Sequence, residues 1–238
     1  MKPDLRIFKN TELLSRHAAE IFFEQAAQSI TTRQQFLVAL NGGGTPTRLF
    51  QLLATEYRDK VDWSKVHIFW GDERCVPPDD PGSCYGQAKE ILLDLIAIPE
   101  QHIHRIKGEL EPVSASMEYA QTLKSVAEDG LEFLRFDLVY LGMGEDGHTA
   151  SLFPNSPVNV NEPVIPVTAN YQDRPANRVT LTQLVINDAR EIWFMVAGKN
   201  KAETLLNVLD GAYKPKQYPA QRIKPVDGNL VWMIDEEA

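Results

Sequence analysis

The sequence FDLVYLGMGEDGHTASLFP, residues Phe136–Pro154, joins an apolar run to a turn rich in glycine. The opening letters, FDLVYL, predict a buried strand. The glycines that follow let the backbone approach a ligand closely. The turn also holds His148, whose imidazole changes charge near neutral pH and suits proton transfer. A strand that ends in such a turn is typical of the ligand-binding edge of an α/β sheet.

The same order of apolar runs and loops recurs along the chain, with helical segments in between. The predicted strands are Gln35–Leu40, Val66–Trp70, Phe136–Leu141, Val164–Val167, Arg178–Leu181, Glu191–Ala197 and Asn229–Ile234. The predicted helices are Thr11–Ser29, Thr47–Tyr57, Ser83–Leu95, Ser114–Asp129 and Lys199–Leu209. Continuous apolar strands indicate burial on both faces. We therefore predict the α/β class, with a mostly parallel sheet and helices on both faces.

Length and composition limit the classes of protein to which the chain can belong. Its 238 residues suit one α/β domain over residues 1–238, and 43% apolar with 24% charged residues predicts a soluble globular protein. The net charge of −9 argues against nucleic acid or an anionic membrane as a partner. The N-terminal residues predict no secretion signal, and Cys75 and Cys84 match no zinc or disulfide pattern. We expect a cytoplasmic protein with reduced thiols.

Four loops follow predicted strands: NGGGTP, GDER, GMGEDGH and AGKNK. Because the carboxyl ends of parallel strands meet at one edge of a sheet, we expect these loops to lie together there, although they are far apart in sequence.

The glycine loop, Gly42–Gly44, is followed by a predicted helix. Thr45 is placed to cap that helix, and Pro46 suits its first turn. Backbone amides at a helix N-terminus attract anions, so Gly43, Gly44 and Thr45 are candidate phosphate ligands. A plain tight turn explains the same letters, and the loop alone does not separate the two interpretations.

Cations stand at several of these strand ends. Arg74 can grip a phosphate with two parallel hydrogen bonds, and Asp72 beside it can orient the arginine or accept sugar hydroxyls. Arg178 and Lys201 can add positive charge around the same phosphate. Taken alone, each of these residues is more simply interpreted as an ordinary surface charge.

The candidate general base is His148, and Asp146 is placed either to orient its ring or to bind substrate. No acid or cysteine near His102 and His104 completes a ligand set, so we predict no metal site. Ser151 lacks the nucleophile-elbow pattern of a serine hydrolase.

Taken together, the segments NGGGTP, GDERCVPPDDPGSCYGQA, LGMGEDGHTASLFP, NRVTLT, AGKNKAETL and PAQRIKPVDGNLVWMID identify a resemblance. The chain resembles the 6-phosphogluconolactonases, which are related to glucosamine-6-phosphate deaminases. The resemblance implies a Rossmann-like α/β fold and hydrolysis of 6-phospho-D-glucono-1,5-lactone in the oxidative pentose phosphate pathway. It implies no metal or other cofactor, His148 as the base, and substrate contacts from Thr45, Asp72, Arg74, Arg178 and Lys201. We expect a monomer or weak dimer.

This chain departs from the family pattern in the first loop, where Asn41 and Gly44 occupy positions that are usually serine. Cys84 stands where asparagine is common. These changes bear on hydrogen bonds to the substrate, but they leave the histidine and the cations in place.

Two other functions fit the same fold class. A glucosamine-6-phosphate deaminase or ketose–aldose isomerase usually continues after DGH toward Asn-Glu-Pro, whereas this chain continues Thr149–Pro154, TASLFP. A sugar-phosphate sensor without turnover would not need His148.

Overall fold

In the computed structural model, which describes residues 4–128 and 130–238, the described chain forms ten β-strands and six α-helices. The strands are β1 Asp4–Phe8, β2 Phe36–Leu40, β3 Val66–Trp70, β4 Asp72–Arg74, β5 Ile103–His104, β6 Leu138–Leu141, β7 Val164–Thr168, β8 Asn177–Leu181, β9 Glu191–Val196 and β10 Asn229–Asp235. The helices are α1 Thr11–Arg33, α2 Thr47–Thr55, α3 Cys84–Ile91, α4 Pro112–Ser125, α5 Gln183–Ile186 and α6 Ala202–Leu209.

The main sheet has seven strands in the order β1-β10-β9-β6-β2-β3-β5, and all neighbouring strands in it are parallel. β2 and β6 lie inside this sheet and are buried along their whole length. This burial agrees with their uninterrupted apolar sequences, since both faces of such a strand are covered. The predicted α/β fold with a mostly parallel sheet is confirmed.

A second sheet, which the sequence did not predict, holds three antiparallel strands in the order β4-β8-β7. The segment Asp72–Arg74 was expected to be a loop and is instead the edge strand β4. β4 is only three residues long and follows β3 after Gly71, so local sequence carries no strand signal. Its conformation comes from cross-strand pairing with β8, which is distant in the chain.

The boundaries of several helices differ from the prediction. α1 runs on to Arg33, and inside it Thr31 Oγ1 and Thr32 Oγ1 donate to backbone carbonyls four residues earlier at 2.8 Å. α4 covers Pro112–Ser125, and the predicted end at Asp129 lies outside the described residues.

Helices α2, α3 and α6 are shorter than predicted, and the sequence did not predict α5. α3 ends at Ile91 and is followed by a separate 3₁₀ turn, and α6 begins after the 3₁₀ turn Lys199–Lys201. The expected cap by Thr45 is wrong, because α2 begins at Thr47 with Pro46 at its N-cap and no capping side chain. Within the described residues, no helix has the length and apolar character needed to cross a bilayer.

Three histidines form a cluster beside the edge strand β5. His67 Nδ1 lies 3.0 Å from His104 Nε2, and the His102 ring stacks on His67 with 3.8 Å between centroids. Burial, together with repulsion from His102, lowers the pKa of His67 and of His104 to about 4. The folded protein therefore favours the neutral forms of His67 and His104.

We expect the free energy of unfolding to fall as the pH drops through the window from about 6.5 to about 4. Unfolded histidines bind protons near the upper limit, whereas His67 and His104 in the folded protein bind them only near the lower one, so acid favours the unfolded state. Urea unfolding at about pH 7.5 and about pH 5 measures this loss. The loss should shrink in the double variant His67→Gln/His104→Gln and persist in the control His17→Gln. An equal loss in all three proteins would contradict the assignment.

Candidate active site

A cavity of about 170 Å³ lies at the carboxyl edge of the parallel sheet. Its walls come from the loops that follow β2 and β6, from the small antiparallel sheet and from the start of α6. Of the predicted site residues, it is lined by Gly43, Gly44, Thr45, Asp72, Arg74, His148, Arg178 and Lys201. Asp146 does not line the cavity, but it is hydrogen-bonded to His148, which does.

One wall of the cavity is a face of the small sheet. In the β4–β8 register, Asp72 lies opposite Thr180 and Arg74 lies opposite Arg178. Residues two apart on a strand share a face, so both arginines and Asp72 belong to the same side. Asp72 Oδ2 accepts a hydrogen bond of 2.6 Å from Ser151 Oγ, which fixes the carboxylate.

Arg74 and Arg178 are like charges on directly opposite strand positions, an arrangement that destabilises a sheet when nothing compensates it. Arg178 is only 3% exposed, and its Nε and Nη2 atoms have no hydrogen-bond partner among the described residues. Arg74 donates from Nη1 to the Gly82 carbonyl at 2.6 Å, but its buried Nε has no such partner either. Burial lowers the pKa of the Arg178 guanidinium, although nearby Asp72 opposes this shift.

The Glu73 side chain points to the opposite face of β4, where it stabilises the fold. Its Oε1 accepts from the backbone N–H groups of Arg74 and Cys84, and its Oε2 accepts from Tyr85 N–H, at 2.7–2.8 Å. This buried carboxylate therefore holds the first turn of α3 against β4. Burial raises the pKa of Glu73, and these hydrogen bonds act in the opposite direction.

His148 and Asp146 form a hydrogen-bonded pair in the turn after β6. The distance from His148 Nδ1 to Asp146 Oδ1 is 2.6 Å, and the same oxygen accepts from the His148 backbone N–H at 3.1 Å. Burial raises the pKa of Asp146, but the hydrogen bonds and charge of His148 outweigh it, so the pKa is lowered overall. An ionised carboxylate only accepts, so Nδ1 carries the proton and Nε2 is left to accept one.

Neighbouring rings and the backbone of the turn fix the orientation of the imidazole. Phe153 stacks on His148 at 4.3 Å between centroids, and Tyr171 meets it edge-on at 4.7 Å. Gly144 is required beside the ring, because a Cβ at this position would lie 2.1 Å from His148 Nδ1. Gly147 has a φ of +81°, which favours glycine.

The glycine loop offers fewer free amides than its sequence suggests. The Gly43 N–H donates to Gln87 Oε1 at 3.1 Å, and Gln87 Nε2 donates back to the Gly43 carbonyl at 3.0 Å. Gly42 is also confined, since a Cβ there would lie 2.4 Å from Cys84 Sγ. Gly44 has open space around its Cα and lines the cavity.

Among the residues of the cavity wall that sequence reasoning missed are Tyr171 and Arg174. Both lie in the connection between β7 and β8, where no strand end or glycine turn marked them. The clustering of YQDR just before a predicted strand was the available signal. Asn41 and Cys84, noted as departures from the family pattern, also line the cavity, and Asn41 Oδ1 is buried with no hydrogen-bond partner among the described residues.

Residues 9–232 match the model of the family described as glucosamine-6-phosphate isomerases/6-phosphogluconolactonase. The chain belongs to this family. A 6-phosphogluconolactonase of Haemophilus influenzae is 38% identical over 202 residues, which cover 84% of this chain and 85% of that protein. Another of Synechocystis is 37% identical and covers 100% of this chain and 98% of that protein. The crystal structure of 6-phosphogluconolactonase from Thermotoga maritima superposes with a TM-score of 0.85 at 27% identity, covering 99% of this chain and 100% of that chain.

We expect Gly144→Ala to break the pair between His148 and Asp146, because the new methyl group occupies the place of the ring nitrogen. Without its imidazole partner, the Asp146 carboxyl loses the hydrogen bond that lowers its pKa, so that pKa should rise. A ¹³C NMR titration of the carboxyl group measures it. Gly142→Ala is the matched control, since nothing lies within 4 Å of a Cβ there. The same Asp146 pKa in both variants would count against this geometry.

Proposed function

We propose that this chain hydrolyses 6-phospho-D-glucono-1,5-lactone to 6-phosphogluconate, with His148 as the general base that activates water. The observation that carries the proposal is a cavity with a carboxylate-paired imidazole on one side and two buried, incompletely paired arginines on another. The 6-phosphogluconolactonases among its relatives support the substrate class.

Arg74 and Arg178 would hold the phosphate. A phosphate dianion between them would provide acceptors for the unpartnered guanidinium nitrogens and remove the repulsion across the β4–β8 pair. The sequence suggested both Arg178 and Lys201 as further positive charge beside Arg74. We favour Arg178 as the partner of Arg74, because the two lie opposite each other in the β4–β8 pair, whereas Lys201 interacts with the charges of Glu145 and Asp146.

With the phosphate anchored, the lactone carbonyl would lie toward His148. Its Nε2 would take a proton from water as the oxygen attacks the carbonyl carbon, and Asp146 would stabilise the imidazolium through Nδ1. The proton would then pass to the ring oxygen as the C–O bond breaks. Asp72, held by Ser151, would accept hydrogen bonds from sugar hydroxyls.

The geometry of the cavity also favours hydrolysis over the isomerase and deaminase reactions of the same family. Those reactions transfer a proton between adjacent sugar carbons after ring opening. Hydrolysis needs a base that faces the substrate and a site for the phosphate, and His148 with the two arginines fits these roles. The TASLFP segment adds to this preference. Ser151 in it donates a hydrogen bond to Asp72, and Phe153 stacks on the imidazole of His148.

We expect His148→Ala to lower kcat by about 10²–10⁴-fold and to leave binding of 6-phosphogluconate nearly intact, because the base is lost but the phosphate site remains. The assay uses freshly prepared lactone, subtracts spontaneous hydrolysis and records the product by coupled oxidation. Asp146→Asn should also lower kcat, because an amide neither keeps the proton on Nδ1 nor stabilises the imidazolium. A His148→Ala variant with wild-type kcat would exclude His148 as the base.

We expect Arg178→Met to raise KM for the phosphorylated lactone by about 10- to 100-fold, the loss typical of a charge-assisted hydrogen bond. Turnover of unphosphorylated glucono-1,5-lactone should change little, because that substrate has no phosphate to anchor. Removing a buried, incompletely paired charge should also leave the thermal stability of the ligand-free protein unchanged or raise it. An equal loss with both lactones would argue against a phosphate clamp.

A further inference from the structure

Glu145 lies immediately before the Asp146–His148 turn and contacts two other loops. Its Oε1 accepts hydrogen bonds from Gln172 Nε2 at 3.1 Å and from Asn200 Nδ2 at 2.6 Å. Its backbone carbonyl accepts from Thr204 Oγ1 at 2.5 Å. Through its side chain and backbone, this one residue connects the β6 turn to the β7–β8 loop and to the start of α6.

Each connected loop carries a cation that lines the cavity. The β7–β8 loop, residues 169–176, carries Arg174, and the 3₁₀ turn before α6 carries Lys201. Within residues 4–128 and 130–238, neither cation forms a salt bridge. The positions of Arg174 and Lys201 therefore depend on the backbone of their loops, to which Glu145 is hydrogen-bonded.

The β7–β8 loop needs such a restraint. Gln172 and Asp173 have φ values of 50° and 53°, in the left-handed region where residues with a side chain are disfavoured. Two consecutive residues in this region persist only when surrounding contacts hold them. The hydrogen bond from Gln172 to Glu145 is such a contact.

We propose that Glu145 is a positioning residue, which holds Arg174 and Lys201 toward the substrate side of the catalytic turn. The role rests on the function proposed above. Glu145 does not line the cavity, so it acts through its neighbours and not on the substrate. The cations it places would act on the phosphorylated sugar, so their loss should weaken binding more than it slows the chemical step.

The test compares Glu145→Ala with Glu145→Gln. The alanine variant loses the acceptor for Gln172 and Asn200, and we expect KM to rise about 3- to 10-fold with kcat within about 2-fold of wild type. Glutamine keeps an acceptor oxygen, so its KM should stay within about 2-fold of wild type. Glu132→Ala, at an exposed position away from the cavity, is the control and should behave as wild type.

Hydrogen exchange over residues 169–176 gives a readout that does not depend on turnover. Exchange there should be faster in Glu145→Ala and close to wild type in Glu145→Gln. Unchanged exchange and unchanged KM in the alanine variant would overturn the positioning role, as would a fall in kcat equal to the rise in KM. Wild-type protein without lactone hydrolysis would instead refute the proposed function, and the exchange experiment would still decide whether Glu145 orders the loop.

Discussion

Parallel hydrogen bonding between β2, β6 and β9 is the constraint on which the rest of this structure depends. Parallel strands all end at the same edge, so the loops after β2 and β6 meet there whatever their separation in sequence. In this way, the glycine loop and the turn that carries His148 both reach one cavity. The interior strands supply the rigidity, since they are buried on both faces and leave their polar residues only at the ends.

The small antiparallel sheet adds what the parallel sheet alone lacks, a wall that carries fixed charge. The chain leaves the main sheet directly after β3, and β4 then pairs with β8. This pairing brings Arg74 and Arg178 opposite each other. Glu73, on the other face of β4, is satisfied by backbone N–H groups at the start of α3 and stabilises the strand from behind. The separation of roles follows from strand alternation, because successive side chains point to opposite faces.

Several buried polar groups with incomplete hydrogen bonding line the cavity. Arg178 is buried with unpartnered nitrogens, and Asn41 Oδ1 is buried without a hydrogen-bond partner among the described residues. Away from the cavity, the buried carboxylate of Asp137 is paired: it accepts hydrogen bonds from Arg33 and from the Leu37 backbone N–H at 2.8 Å. Incompletely satisfied groups gathered at one cavity are the pattern of a site that binds a polar ligand, because the ligand supplies the missing partners.

The sequence by itself determined the fold class, most strand positions and the place of His148 in a turn after a buried strand, because apolar runs and glycine turns are local signals. It could not place β4, because a three-residue strand is stabilised by pairing and not by its own residues. For the same reason, only the tertiary structure set Arg74 against Arg178, bound the Gly43 amide to Gln87, and brought Arg174 and Glu145 into the surroundings of the cavity. Contacts between distant segments depend on how the sheets pack, and no local pattern encodes that geometry.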